Sequence, residues 1–324
     1  MMARIIDALN VPTVILAPSV QIVRQTYGVF REQFGSELVS RIDGSASPEE
    51  KDKSKRFIIS TPQTAASQPQ AWWDERRMII VDEFHRSATN TIHKVSNLAR
   101  HAFYRYGFTG THFRTGDDRL AMEAVCSKSL HKVGVPYLVN GGWLAQPRVH
   151  YTRIGGKTGG KDWRQAYKLG IVDNIDRNEK VIALVNSLVD RGIPTIVLVR
   201  RRSHADFLGS RIEQSIVVKG GENIATTRGV QAFNNGEHMV LIGTTVLGEG
   251  VDLPRATALV YASGGSDGVM QMQSYFRPLT ARKGKPEGYI YDFYDSQNYV
   301  LEKHSKRRIQ MARDQLGDCV TVGQ

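Results

Sequence analysis

"MIIVDEFHRSATN", residues 78–90, runs four apolar residues into two adjacent carboxylates, a phenylalanine and a histidine. The apolar part is short, rich in isoleucine and valine, and bounded by charge, as expected of a strand buried on both faces. The carboxylate pair at its end has two readings. One is a strand entering a solvated turn, where charges usually sit. The other is a site, because open α/β sheets bind ligands beyond the carboxyl ends of their strands. There one carboxylate, Asp82, can hold Mg²⁺ through its waters. Its neighbour, Glu83, can orient or deprotonate the water that attacks a phosphate. His85 and Arg86 stand where they can report the state of the site to adjoining loops.

The same pattern recurs outward along the chain. "TVILAPS", "FIISTPQ", "TIVLVRR", "VLIGTT" and "ALVYAS" are short apolar runs that end in turn or cap residues and lead into helix-like stretches. Apolar strands alternating with amphipathic helices predict an α/β fold built on parallel sheet. Between Gln146 and Asp173 the alternation weakens, and "IGGKTGGKD" (154–162) has a linker's composition. The expected organisation is a first domain over 1–150, a linker over 151–175 and a second domain over 176–324. "FYRY" (103–106) leads into a strand and is expected to pack in the core. "LEKHSKRRIQMARDQ" (301–315) reads as a basic amphipathic helix with a solvated face.

A length of 324 residues suits two domains better than one core. Lys and Arg number 43 against 32 Asp and Glu, a net charge of +11, which favours a polyanionic partner such as nucleic acid. The two cysteines, Cys126 and Cys319, are too few and too far apart for a disulfide framework or a zinc knuckle. No apolar run approaches the roughly 20 residues that span a bilayer, and no secretory leader pattern opens the chain. The expectation is a soluble protein of a reducing compartment, with no membrane partner.

Further strand ends carry polar loops: "APSVQIVRQT" (17–26), "STPQTA" (60–65), "GFTGTHFR" (107–114), "GTTVLGEGVDLP" (243–254) and "QSYFRPLTAR" (273–282). In this order they resemble the motifs of superfamily 2 helicases and translocases, the group that holds the DEAD- and DEAH-box proteins. "VDEFH" resembles motif II, and the others resemble motifs Ia, Ib, III, V and VI, with "TIVLVRRRSHADFL" (195–208) as motif IV. The resemblance implies two tandem RecA-like domains with ATP in the cleft between them and nucleic acid lying across both. It gives Asp82 the Mg²⁺ and Glu83 the attacking water, with His85 beside the nucleotide. Thr109, Thr111 and Arg114 would couple hydrolysis to strand contacts. Gly250, Asp252, Gln273 and Arg277 would meet ATP from the second domain, and Gln25, Thr61 and Thr244 would contact nucleic acid. DNA is the expected strand and RNA the alternative, because Phe84-His85 stands where the RNA-directed DEAD-box group has Ala-Asp. The implied setting is the cytoplasm of a bacterium or of a phage-infected host.

Two departures matter. Helicases of this kind hold the β- and γ-phosphates in a GxxxxGK[ST] loop ahead of motif Ia, and here "MMARIIDALN" (1–10) reads as the helix that comes after such a loop. The first domain is therefore expected to lack its N-terminal segment. The look-alike at Gly156-Lys157-Thr158 has Tyr151 where the first glycine belongs. In motif VI, Phe276 and Thr280 replace a glycine and the second arginine, while Arg282 lies two positions late. Three readings stay open: an ATP-dependent DNA helicase or translocase, truncated here; a motorless nucleic-acid-binding remnant; or half of a split enzyme whose phosphate loop comes from another polypeptide.

Overall fold

The computed structural model describes residues 1–86, 90–110, 118–220, 223–244, 247 and 251–323. The chain divides into two units, Met1–His131 and Lys132–Gln324.

The first unit is a five-stranded parallel sheet: β1 (Thr13–Leu16), β2 (Val39–Ile42), β3 (Phe57–Ser60), β4 (Met78–Val81) and β5 (Tyr104–Gly107), in the order β2-β3-β1-β4-β5. Helices α1 (Met2–Leu9), α2 (Val20–Phe34), α3 (Pro62–Ala66), α4 (Gln70–Asp74), α5 (Asn90–Leu98) and α6 (Asp118–Cys126) complete it. Every residue of β1 to β4 is buried. Alternate side chains serve opposite faces. Val14, Leu16, Ile58 and Ile79 pack with Trp72 and Trp73, while Ile15, Ile59 and Ile80 pack with Ile6, Val23 and Phe30. Each such side chain contributes about 1.5–3 kcal/mol, so β1, β3 and β4 are nearly continuous apolar runs, whereas β2 also buries Ser40 and Arg41, the arginine paired with Asp43 and Glu50.

The aromatic run at 103–106 corrects an expectation. Phe103 and Tyr104 are 76% and 40% exposed, and only Tyr106 reaches the apolar cluster. The reason is position: β5 is an edge strand, paired with β4 alone.

The second unit is a seven-stranded parallel sheet in the order β12-β6-β11-β10-β7-β9-β8. Its strands are β6 (Gln146–Ile154), β7 (Thr195–Leu198), β8 (Ser215–Val218), β9 (Val240–Gly243), β10 (Ala258–Tyr261), β11 (Glu287–Asp295) and β12 (Val320–Val322). The helices are α7 (Val135–Asn140), α8 (Trp163–Tyr167), α9 (Ile175–Asp190), α10 (Arg202–Gly209), α11 (Asn223–Asn235), α12 (Gly268–Phe276) and α13 (Tyr299–Leu316). Residues 151–175, expected to link the domains, lie inside this unit. β6 pairs with β11 through Ile154, and the Asn298 amide donates to the carbonyls of Thr158, Gly159 and Gly160.

α13 shows the solvated basic face expected of it, with Lys303, Lys306, Arg307 and Arg313 exposed. Its other stripe is buried and includes Arg308, only 1% exposed, among Leu301, Ser305, Ile309, Ala312 and Leu316. Arg308 donates to both Asp292 oxygens at 2.8 and 3.2 Å and to the main chain of Gly265 and Phe293.

Candidate functional site

Register brings the first unit's motif loops to one edge. Leu16 pairs with Ser60 on one side and Val81 on the other, and Val81 pairs with Gly107. The residues beyond these strand ends therefore start side by side. Main-chain bonds continue the ladder past the strands: Ala17 N–H to Ser60 O at 2.9 Å, Asp82 N–H to Leu16 O at 2.9 Å, and Phe108 N–H to Val81 O at 2.9 Å. Phe84 N–H donates back to Phe108 O at 2.8 Å. Gly107 is required beneath this bond, since a Cβ there would lie 2.4 Å from the Phe84 ring. The segments read as motifs II and III are thus locked together through backbone before any side chain is considered.

Glu83 takes a left-handed conformation, φ 48°, which turns the chain sharply after β4 and into the single helical turn Phe84–Arg86. Such a backbone is uncommon for a non-glycine residue and is concentrated at functional sites. The turn places Glu83 Oε2 3.2 Å from His85 Nδ1, and that nitrogen also lies 2.9 Å from Thr109 Oγ1. His85 is 3% exposed. One ring nitrogen thus faces both groups, hydrogen-bonded with Thr109 and within ion-pair distance of Glu83. Thr111 and Arg114 lie outside the described residues, as does Gly250 of the second unit.

Asp82 is partly buried, and its Oδ1 accepts the Glu83 N–H at 3.0 Å. Burial pushes its carboxyl above the ordinary range and the Glu83 charge adds to the rise, while the Glu83 amide and His85 oppose it. A cation would relieve that penalty. Mg²⁺ commonly binds through one or two carboxylates and keeps several waters, which Asp82 fits. Among the described residues no group of three or more His, Cys, Asp and Glu forms an all-protein metal cage.

The hydroxyls expected to meet nucleic acid are engaged in the fold. Thr61 caps α3, its Oγ1 accepting Thr64 N–H at 3.3 Å and bonding Thr64 Oγ1 at 3.0 Å. Thr244, 6% exposed, accepts Gly220 N–H at 3.4 Å and so joins the loops after β9 and β8. Gln25 is exposed on α2, next to Arg24, which donates to Ser45 across to the loop after β2.

In the second unit the structure brings Arg277 against the segment holding Asp252: Arg277 Nη1 donates to Val251 O. Asp252 itself is exposed, and its carbonyl accepts the Asn234 amide at 3.1 Å. Gln273 lies half-buried on α12, one turn before Arg277. α12 stops at Phe276 and gives way to a single 3₁₀ turn containing Pro278. Arg282 falls beyond it, on the Arg282–Lys285 bridge, so Gln273, Arg277 and Arg282 do not share one helix.

Sequence reasoning missed what positions α12. Tyr275 donates to Asp292 at 2.6 Å and its oxygen lies 2.8 Å from Tyr151 Oη; Gln271 donates to Arg308 O at 3.0 Å. The available signal was the apolar stripe of α13, at whose centre Arg308 stands.

Two parallel sheets, one with a carboxylate pair after β4 and the other with an arginine just past the end of α12, are similar to the paired domains of superfamily 2 helicases. Residues 1–114 match the family described as Type III restriction enzyme, res subunit, and residues 176–274 match the Helicase conserved C-terminal domain. The ATP-dependent DNA helicase uvsW of Enterobacteria phage T4 is 22% identical over 87% of this chain and 62% of its own length. The chain spans less than two thirds of each curated relative it matches. Among solved structures, a fragment of a putative HsdR subunit of a type I restriction enzyme from Vibrio vulnificus YJ016 has a TM-score of 0.68 at 19% identity, with 96% of this chain and 56% of that one covered. S. cerevisiae Dbp5 bound to RNA and ADP BeF3 has a TM-score of 0.63 at 18% identity, covering 96% and 76%. These likenesses fix the fold as that of tandem RecA-like domains. No described helix is long and apolar enough to cross a membrane.

Proposed function

We propose that the chain is the motor portion of an ATP-dependent DNA helicase or translocase. One observation carries this reading: Asp82-Glu83 closes β4 at an edge where main-chain bonds join it to the loops after β1 and β5 and His85 joins it to Thr109. In this reading Asp82 holds Mg²⁺, which supplies charge neutralisation at the phosphates. Glu83 orients the attacking water and receives its proton, and His85 passes the state of Glu83 to Thr109, next to Thr111 and Arg114. Arg277, seated on Val251 O beside Asp252, is the cation that the resemblance assigns to ATP, with Gln273 and Gly250 as its companions. Thr61, Thr244 and Gln25 contact the strand in this reading, the two threonines from loops that their own hydrogen bonds hold in place and Gln25 from the exposed side of α2. DNA is favoured over RNA by Phe84-His85, and the phage relative is named a DNA helicase. The cytoplasm of a bacterium or an infected host fits that kinship.

A second reading is favoured by a specific observation. Within these 324 residues no GxxxxGK[ST] pattern precedes β1, and Phe276 and Thr280 stand in motif VI where a glycine and a second arginine are expected. A phosphate loop from residues outside this sequence, in the same polypeptide or another, would complete the motor; without one, the chain binds nucleic acid and does not turn over. ATP hydrolysis measured with and without single-stranded DNA, and with RNA in a parallel arm, separates these outcomes. Strand-stimulated turnover abolished in Glu83→Gln supports the motor. Turnover unchanged in that variant removes Glu83 from the mechanism.

A further inference from the structure

The glycine- and lysine-rich loop after β6 is a fixed element of the second unit. Thr158 N–H donates to Gln297 O at 2.9 Å, and Asn298 Nδ2 donates to the carbonyls of Thr158, Gly159 and Gly160 at 3.4, 3.1 and 3.1 Å. Gly160, φ 104°, lies so close to the start of α8 that a Cβ would fall 2.4 Å from Ala166 N. With its backbone held inward, the loop presents Lys157 and Lys161 to solvent.

Beside it, the Trp163 ring packs 4.6 Å from His304 of α13 and 5.0 Å from Tyr167, and the Arg200 guanidinium lies 6.0 Å from its centroid. Burial, with Arg308, Arg307 and Lys303 around it, holds the His304 imidazole below its usual value. Lys303 and Arg307 are exposed on this side of α13. Lys157, Lys161, Arg200, Lys303 and Arg307 thus gather at the carboxyl ends of β6, β11 and β7. Among the described residues none of the five pairs with a carboxylate, whereas neighbouring Lys306 pairs with Glu302 at 2.8 Å. Like charges collected without counter-charge repel one another, and an external polyanion reverses that cost.

We propose that Lys157, Lys161, Arg200, Lys303 and Arg307 form a binding track for the phosphodiester backbone of nucleic acid, with every member but Arg200 outside the segments that resemble helicase motifs. The proposal rests on the nucleic-acid part of the proposed function. The track reads phosphate and not bases, because Trp163 is already packed against two rings and a guanidinium. Contacts of this kind position a strand without selecting its sequence. Nucleic acid is favoured over an acidic protein by the +11 net charge and by Arg200, which lies in the segment that resembles motif IV.

The test is fluorescence anisotropy with a labelled single strand and, separately, a labelled duplex, across a salt series without nucleotide. The variants are Lys157→Glu/Lys161→Glu and Lys303→Glu/Arg307→Glu. Milder Lys157→Gln/Lys161→Gln guards against misfolding, which circular dichroism monitors. Arg191→Glu/Arg211→Glu carries the same charge change at the amino edge of the sheet. Removing two contacts should lower the slope of log K against log salt by about 1.4 for single strand or about 1.8 for duplex, with the amino-edge control unmoved. A change confined to one arm supports the track and names the form of nucleic acid held. Unchanged slopes in both arms, or an equal change in the control, overturn the track while the helicase reading stands. Failure of the parent chain to bind either oligonucleotide overturns both.

Discussion

Two strands of this molecule carry buried or half-buried carboxylates at their carboxyl ends, and they treat them in opposite ways. β11 holds Asp292 and ends on Asp295, 0% and 1% exposed. Asp292 receives Arg308 and Tyr275, and Asp295 receives Arg177 Nε at 2.7 Å, while Arg177 Nη1 goes on to Ala262 O. β4 ends on Asp82-Glu83, where the described residues offer Asp82 a neighbouring amide and no arginine or lysine within ion-pair distance. Burying a charge costs several kcal/mol unless it is paired and hydrogen-bonded. At β11 the fold supplies the pairing. At β4 the described residues supply no such pairing for Asp82, which is what the proposed Mg²⁺ site calls for.

The largest expected effect breaks the comparison on the β4 side. Glu83→Gln should lower ATP turnover by about 10²–10⁴-fold, the range for a lost general base, and leave thermal unfolding within about a degree or two of the parent. The next largest is its mirror image. Arg177→Ala should destabilise the second unit by about 3–5 kcal/mol, because it takes from buried Asp295 its hydrogen-bonded partner and leaves only the longer Arg308 contact at 3.6 Å, whereas Asp82→Asn should leave stability level or slightly raised. Urea unfolding of both variants reads the pair of outcomes. A severe loss in Asp82→Asn would mean that the β4 carboxylate is structural after all.

Why the sequence shows one of these pairs and hides the other is a matter of range. Asp82-Glu83 comes directly after a four-residue apolar run, a local signal, and of the strands beside it β1 announces itself the same way, while the half-exposed edge strand β5 does not. β1, β3, β4, β7, β9 and β10 were legible for that reason. β11, "EGYIYDFYD" (287–295), alternates in burial and carries two aspartates, so neither its strand nor its neutralised charges can be read without Arg308, which arrives from α13, and Arg177, from the start of α9. The supposed linker misled for a related cause. Its glycines suggest freedom, but Asn298, well over a hundred residues away in sequence, holds them. Arg277 was legible as a motif residue; its contact with Val251 was not.

The third expectation sharpens the β11 side through pH. His204 is fully buried, its Nε2 2.8 Å from Asn178 Oδ1, and burial, with the Arg177 charge in addition, lowers it from 6.5 to about 3. The native state keeps it neutral, and the unfolded chain protonates it below about 6.5. Its contribution is therefore complete above that value and is lost as pH falls toward 3. At pH 5 the loss should be roughly 2 kcal/mol, at 1.36 kcal/mol per unit. Unfolding free energies at pH 7.5 and 5.0, compared with His204→Gln, isolate it from the other titrating groups. The same pH dependence in parent and variant would remove His204 as the cause.

The smallest effect concerns single hydroxyls, and here the two regions should part by kind rather than by size. Thr109 Oγ1 meets His85 Nδ1 at 2.9 Å beside Glu83. Ser305 Oγ accepts Asp295 N–H at 3.0 Å and Arg308 Nη2 at 3.2 Å within the buried network. Thr109→Val and Ser305→Ala each remove hydrogen bonds worth about 1 kcal/mol apiece, with a further cost wherever a buried partner is left unsatisfied. Arg308 and the Asp295 amide have little access to water, so Ser305→Ala should show the larger stability loss and no change in the ratio of strand-stimulated to basal ATP turnover. Thr109→Val should lose about 1 kcal/mol or less and lower that ratio several-fold, because the bond it removes ties His85, beside the carboxylate proposed to activate water, to the segment that resembles motif III. If Ser305→Ala moved the ratio and Thr109→Val did not, the bond from His85 would be ordinary packing, and coupling would have to run through the main-chain bonds between Phe84 and Phe108 instead.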